Sequence, residues 1–196
     1  MCFSGKNEIS PDRRRPRYCN STHISLCLAL FVLFGCSSPS SIKKSNPLDD
    51  GKRFTQEFYD WYVSHVVGKS EGAAWEMVLR QRPASFGQEL LRSLEEDADA
   101  RAQSSDRIVG IDFDPFLNTQ DPASRYKVEK FEQRRGTYFA QICGEGQGSP
   151  QADVIAELEH TSKGWAFVNF HYPNANSKEA QNLRALLTSL SASRRK

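Results

Sequence analysis

Three carboxylates stand close together in the stretch Gly110-Ile-Asp-Phe-Asp-Pro-Phe-Leu-Asn-Thr-Gln-Asp121. Asp112, Asp114 and Asp121, with the Asn118 amide, are oxygen donors of the kind that hold hard cations. The stretch lacks the alternating carboxylates, central glycine and closing glutamate of a calcium-binding loop between two helices. The other reading is structural: Asp114-Pro115 opens a turn while Phe113, Phe116 and Leu117 plug the edge of a core. The structural reading is the expectation adopted, and neither metal nor cofactor is assigned. His65 and His171 suggest a different chemistry, because a histidine paired with a carboxylate can act as a general acid or base. By strict alternation His171 shares a strand face with Trp165, Phe167 and Asn169, so His171, Trp165 and Asn169 are the candidate pocket residues. The alternative is a partly buried structural histidine, and no residue is assigned as catalytic. The Gly68-Lys-Ser-Glu-Gly72 string has Gly-x-Ser-x-Gly spacing but reads as the end of a helix, and no His-Glu-x-x-His, Cys-x-x-Cys or phosphate-loop pattern occurs in the chain.

Sulfur offers a third chemistry. Of five cysteines, Cys2, Cys19 and Cys27 lie in or before an apolar run, Cys36 ends that run, and only Cys143 falls in the body. A single body cysteine makes no internal disulfide. Its setting, "TYFAQIC", predicts a small buried hydrophobe rather than a reactive thiol, since no cationic neighbour is evident to lower its pKa. Cys36 is different. The run Ile24 to Gly35 is a dozen residues long and follows Arg13-Arg14-Arg15-Pro16-Arg17. A membrane-spanning helix needs about twenty apolar residues. A signal-peptide core needs roughly 7–15 after a basic lead. Leu33-Phe34-Gly35-Cys36 resembles the lipobox of bacterial lipoproteins, although Phe34 is bulky for its position. The resemblance implies cleavage between Gly35 and Cys36 and a lipid on the Cys36 sulfur. Ser37, a residue other than Asp after the cysteine, implies sorting to the outer membrane, facing the periplasm.

The elements that would position these residues follow from composition and periodicity. The chain has 196 residues, 38% hydrophobic and 26% charged, which suits one domain plus a targeting segment. Residues 1–35 hold five basic and two acidic residues, leaving 21 basic and 22 acidic from Cys36 onward. A body so close to neutral gives no reason to expect nucleic acid as a partner. Residues 1–35 read as the signal peptide, 36–47 as a lipidated Ser/Pro-rich tether, and 48–193 as a single domain.

Phe54, Phe58, Trp61, Tyr62 and His65 have the spacing of one helical face, with Asp49 and Asp50 at its start and Gly68 at its end. Ala73–Leu79 forms a short apolar segment broken at Pro83. Ser85 and Gln88 have capping-box spacing before Phe86, Leu90, Leu91 and Leu94. The tail of that helix, "EEDADARAQSSD", reads as too polar for core. The period then falls to two in "SRYKVEKFEQ", "TYFAQIC", "ADVIAELEH" and "WAFVNFHY", joined by the glycine-bearing connections "RRG", "GEGQGSPQ" and "SKG". These are four sequential antiparallel strands. The last carries large residues on both faces and is expected to be central or enclosed. Asn176 and Glu179 would cap a final helix with the stripe Ala180, Leu183, Leu187 and Leu190. The fold class is α+β, with N-terminal helices and a C-terminal helix on one face of the sheet.

"EFYDWYV" (57–63), "DFDPFLNTQD" (112–121) and "GWAFVNF" (164–170) occur in an order similar to the YbjP/YqhG family of bacterial envelope proteins, which carry a domain of unknown function. The resemblance spans roughly residues 50–190. It implies a periplasmic α+β domain, with a cone shape like that of nuclear-transport-factor folds, and it brings no catalytic residues. The expected function is therefore a binding or accessory module held on membrane lipid through Cys36 and meeting an envelope protein partner. The glycine-rich 144–151 connection reads by default as a flexible turn, and it is also the kind of exposed loop such a partner would contact. The competing expectations are a small-pocket enzyme of cone-like fold and an immunity-type inhibitor of an envelope hydrolase.

Overall fold

The computed structural model describes residues 46–65, 73–104, 109–146, 152–173, 175 and 181–195. The chain divides into two units, Met1–Ile42 and Lys43–Lys196, and every described residue belongs to the second. The proposed signal peptide, the Gly35-Cys36 junction and most of the tether lie outside the described residues. So do Gly68, the segment containing Asn176 and Glu179, and most of the 144–151 connection.

Helix α1 spans Pro47–His65, α2 Ala74–Gln81, and a 3-10 turn Pro83–Ser85 leads to α3 at Gln88–Ala102. Strands β1 (Tyr126–Arg134), β2 (Thr137–Gly144), β3 (Val154–Thr161) and β4 (Gly164–His171) follow, and α4 closes the body at Leu183–Arg194. The sheet order is β1-β2-β3-β4 with every pair antiparallel, as short hairpin connections require. The β1–β2 turn places Arg135 (φ 51°) and Gly136 (φ 90°) both in the left-handed region, the geometry of a tight two-residue hairpin.

The helices cover one face of the sheet. Val128, Ala140, Ile142, Val154, Ala156 and Leu158 point into the core from β1, β2 and β3. From α1 the buried stripe is Gly51, Thr55, Phe58, Tyr59 and Tyr62. The face is thus turned from the expected one towards Tyr59. Phe54 and Trp61 flank it, and His65 is exposed, stacked on Trp61 at 5.7 Å. Gly51 explains the turn: a Cβ there would lie 2.3 Å from the Phe131 ring, so only glycine lets α1 seat this closely on β1.

Each edge strand carries one irregularity that strict alternation does not foresee. In β1 the pairing slips between Val128 and Lys130, and Glu129 is the extra residue. In β4, Leu158 pairs with Phe167 and Glu157 with Asn169, which leaves Val168 extra. A bulge of this kind returns residues three apart to the same face. Phe167 and Phe170 are accordingly both buried, with ring centroids 5.2 Å apart. The expected division of β4 into one face with Phe170 and another with Phe167 is thereby corrected. β4 is also an edge strand rather than a central one. Its free side is partly covered by Gly87, whose N–H donates to the Phe167 carbonyl at 2.8 Å, and by a bridge between His171 and Asn182.

That contact alters the α3 start. Phe86 is extended and bridges Phe167, so the N-cap is Gly87 and Ser85 ends the 3-10 turn without capping α3. At α4 the cap is Asn182, whose side chain accepts from the Ala185 N–H, so the helix starts after the expected Asn176. Asp97, in the segment read as too polar for core, is fully buried. It accepts from the Ile111 N–H at 3.0 Å and from Arg194 Nη1 at 2.5 Å, and so ties α3 to α4 and to the following loop. Cys143 also departs from expectation: Ile142 takes the buried position, and Cys143 stands half-buried on the other face, opposite Lys127.

Candidate functional site

The carboxylate stretch forms a closed loop between α3 and β1. The Asp114 N–H donates to the Thr119 carbonyl, and the Asn118 N–H donates back to the Asp114 carbonyl at 2.8 Å. Asn118 takes φ 54°, a left-handed conformation that its short amide tolerates. Asp114 Oδ1 accepts from the N–H groups of Phe116 (2.9 Å) and Leu117 (3.1 Å), the local side-chain turn that Asp-Pro favours.

Three tyrosines hold the loop to the body. Tyr62 Oη donates to Asp114 Oδ2 at 2.6 Å, Tyr59 Oη to the Phe116 carbonyl at 2.8 Å, and Tyr172 Oη to the Pro115 carbonyl at 3.0 Å. Phe116 and Leu117 are buried to 1% exposure or less. Phe116 packs on Phe58, Tyr62, Phe86 and Phe170, while Phe113 meets Tyr172 edge to face at 5.6 Å. Burial raises the Asp114 pKa to about 6 against the lowering effect of its three hydrogen bonds. Burial likewise pushes the hydroxyls of Tyr59, Tyr62 and Tyr172 well above the usual phenol range, with the Asp114 charge adding to the rise.

Outside this anchored loop lies a cavity of about 450 Å³. Trp75 of α2, Arg101 of α3 and the loop residues Ile111, Asp112, Phe113 and Asp114 line it, with Gln120 and Pro122 beyond. Its size falls in the usual range for small-ligand sites, roughly 300–1,000 Å³. Arg101 holds one wall: its Nε donates to Glu76 at 3.1 Å, its Nη1 donates to the Ile111 carbonyl, and its guanidinium lies 5.9 Å from the Trp75 ring centre. Trp75 is 1% exposed, yet its Nε1–H has no hydrogen-bond partner among the described residues. A buried donor left unpaired costs about 1–3 kcal/mol.

Asp112 and Asp114 both face this cavity. Asp121 does not line it; it is exposed, its N–H donates to the Thr119 hydroxyl, and that hydroxyl donates to its carbonyl. Among the described residues no group of three or more His, Cys, Asp or Glu side chains is arranged to hold a metal ion.

The three β4 candidates do not share a pocket. Trp165 packs among Phe131, Tyr138 and His160. Asn169 sits at the bulge, where Oδ1 accepts from the Phe170 and Arg184 N–H groups. His171 is on the sheet face away from the helices, its Nε2 2.8 Å from Glu157 Oε2 and its ring 6.1 Å from Phe139. Sequence reasoning found Asp112 and Asp114 but missed Trp75, Arg101 and Asp97. The available signal was the continuation of the α3 stripe: Leu90, Leu94, Asp97 and Arg101 stand four, seven and eleven residues along one helical face.

No helix among the described residues is long and apolar enough to cross a membrane. In comparisons with known proteins, no family model, no curated protein and no solved structure matches this chain.

Proposed function

We propose that the folded body is a binding module carried at a membrane surface, with the cavity outside the 110–122 loop as its ligand site. The observation that carries this reading is a mostly apolar cavity of about 450 Å³ whose lining includes the polar groups of Arg101, Asp112 and Asp114. An apolar wall with a few convergent polar groups is the common form of a ligand site. The loop bounding it is fixed by Tyr59, Tyr62 and Tyr172, so such a site is preorganised and loses little entropy on binding.

The membrane part of the proposal rests on Leu33-Phe34-Gly35-Cys36 and the Ser-rich segment after it. Cys36 would carry the lipid, and the body would face the periplasm from the outer membrane, in keeping with the resemblance to the YbjP/YqhG family. A protein partner in the envelope belongs to the same reading. A thermal-shift screen of small molecules tests the cavity. At least one compound should raise the melting temperature of the wild type and fail to do so in Ala74→Phe, which fills the cavity from the α2 side. If hits act equally on both proteins, the site lies elsewhere.

A second reading, an enzyme with His171 as its acid–base group, draws on the 2.8 Å contact between His171 and Glu157, although the small pocket expected around His171 is not formed by Trp165 and Asn169. It requires His171→Gln to abolish the cellular role while stability stays at the wild-type level. The binding reading requires that role to survive.

A further inference from the structure

We infer that the end of the sheet carrying the β1–β2 and β3–β4 turns rests on the headgroups of an anionic phospholipid surface; the inference rests on the membrane part of the reading above. Four sequential antiparallel strands put these two turns at the same end of the sheet. α1 starts at that end. Gly51 lies against Phe131 and Trp165, close behind the turns, whereas Tyr59 and Tyr62 reach Phe116 and Asp114 at the other end. Pro47 and Leu48 therefore lie beyond Gly51 on the side of the turns, at about 1.5 Å per residue. The chain coming from Cys36 enters the body here.

Charge divides along the same axis. Residues 133–138 and 160–165, the two turns with their flanking strand ends, hold Arg134, Arg135, Lys163 and His160 and no Asp or Glu. The nearest strand acids, Glu132 and Glu159, stand one pair further in, and Glu132 is already bridged to Lys130 and Arg134. At the start of α1, Lys52 and Arg53 balance Asp49 and Asp50, and Lys43 and Lys44 precede them in the tether. The other end holds Asp60, Asp112, Asp121, Glu145 and Asp153 against Arg125 and Lys127. A body close to neutral overall is thus positive where the tether enters and negative at the far end. Arg135 and Lys163 are exposed and make no ion pair among the described residues. Leu48, 37% exposed, is the one exposed large hydrophobic among the described residues, and it stands at this same end.

Cations beside an apolar side chain suit an anionic lipid surface, where headgroup charge attracts the first and the interface takes the second. A Ser-rich tether limits how far the body strays but does not orient it. Held close by the anchor, the body meets the surface at high effective concentration, so a few charges suffice to choose which end faces it. The basic end is also the end nearest the anchor, which selects lipid over any other polyanion. This orientation turns the acidic end, with the cavity outside the 110–122 loop, away from the lipid.

The test reconstitutes the full-length protein, as processed by the cell, into vesicles of phosphatidylcholine alone or mixed with phosphatidylglycerol. Flotation reports attachment. Orientation is read by energy transfer to a headgroup-labelled lipid from a dye at Ser162→Cys, in the β3–β4 turn, or at Gln120→Cys, at the far end, each combined with Cys143→Ser. Both dye positions are exposed. The protein should float with both vesicles. With phosphatidylglycerol, transfer should be roughly twofold higher from position 162 than from 120, and about 1 M salt should close the gap. Phosphatidylcholine alone should give no gap. Arg135→Asn with Lys163→Glu, which together leave the turns without net charge, should remove the gap and keep flotation; asparagine tolerates the left-handed backbone at 135. Equal transfer from the two positions on phosphatidylglycerol, or more from 120, overturns the inference and leaves the anchor standing. A gap that persists on phosphatidylcholine and in the double variant assigns the contact to Leu48 and also overturns it. Flotation with phosphatidylglycerol vesicles alone strikes the anchor; the inference then stands if the double variant no longer floats and falls if it does. Flotation with neither vesicle strikes both.

Discussion

At Asp114 burial and hydrogen bonding act on the carboxyl in opposite directions. Desolvation outweighs three donated hydrogen bonds and holds the pKa near 6 instead of 3.8. The folded state thus binds this proton more tightly than the unfolded chain does. The resulting stability is fully present below pH 4 and is lost as pH rises through about 6. An amide in place of this carboxyl carries no charge to desolvate, and its carbonyl can still accept from the loop N–H groups. The stability of Asp114→Asn relative to wild type should therefore improve by about 2–3 kcal/mol between pH 4 and pH 7. Urea denaturation of both proteins at the two pH values measures the change; a constant difference would show that the carboxyl titrates as it does in water. Phe116 plays a different part in the same loop. It is completely buried among Phe58, Tyr62, Phe86 and Phe170. Phe116→Ala should cost about 3–5 kcal/mol, the range for truncating a buried phenylalanine. A cost below about 1 kcal/mol would mean that the loop is not part of the core.

Some contacts between elements turn on single residues. α1 reaches β1 because Gly51 leaves room for the rings of Phe131 and Trp165. Gly51→Ala removes that room from a packed core and should destabilise the body by about 1–3 kcal/mol, despite alanine's better helix propensity. Equilibrium denaturation decides, because a gain in stability would mean that the rings can yield. The four strands and their order were legible because β2 and β3 each bury one alternating face, such as Val154, Ala156 and Leu158. The bulges at Glu129 and Val168 were not, since a single extra residue swaps the faces without changing composition. Ser85 misled because the pairing of Phe86 and Gly87 with β4 takes the backbone past the cap that local spacing favours. Asp97 misled because burial of an aspartate depends on Arg194, nearly a hundred residues away. The loop of the candidate site could be picked out from Asp114-Pro115 and its apolar neighbours. The cavity could not, because Trp75 and Arg101 reach it from separate helices whose packing no local pattern encodes.

For the whole molecule, the question is whether the proposed binding body is held at a membrane, and by what. No helix among the described residues is long and apolar enough to cross a membrane, and the proposed anchor lies outside them. The segment from Cys36 to Asn46 could reach at most about 35 Å when extended, enough to carry a body clear of lipid headgroups. One acyl chain holds a protein only marginally, at about 0.8 kcal/mol per buried methylene, and two or more hold it firmly. A diacylglycerol on Cys36 meets that requirement, whereas an uncleaved apolar run of a dozen residues is too short to span the bilayer. Cys36→Ser should consequently lose all incorporation of an alkyne-tagged fatty acid and leave the membrane fraction for the soluble one or stall as an unprocessed precursor. Lys43→Ala, in the tether beyond the processing site, should change neither. Continued labelling of Cys36→Ser would place the lipid on another residue. A wild-type protein recovered unlabelled in the soluble periplasm would instead make residues 1–35 an ordinary cleaved signal, with the body released to meet its ligand in solution.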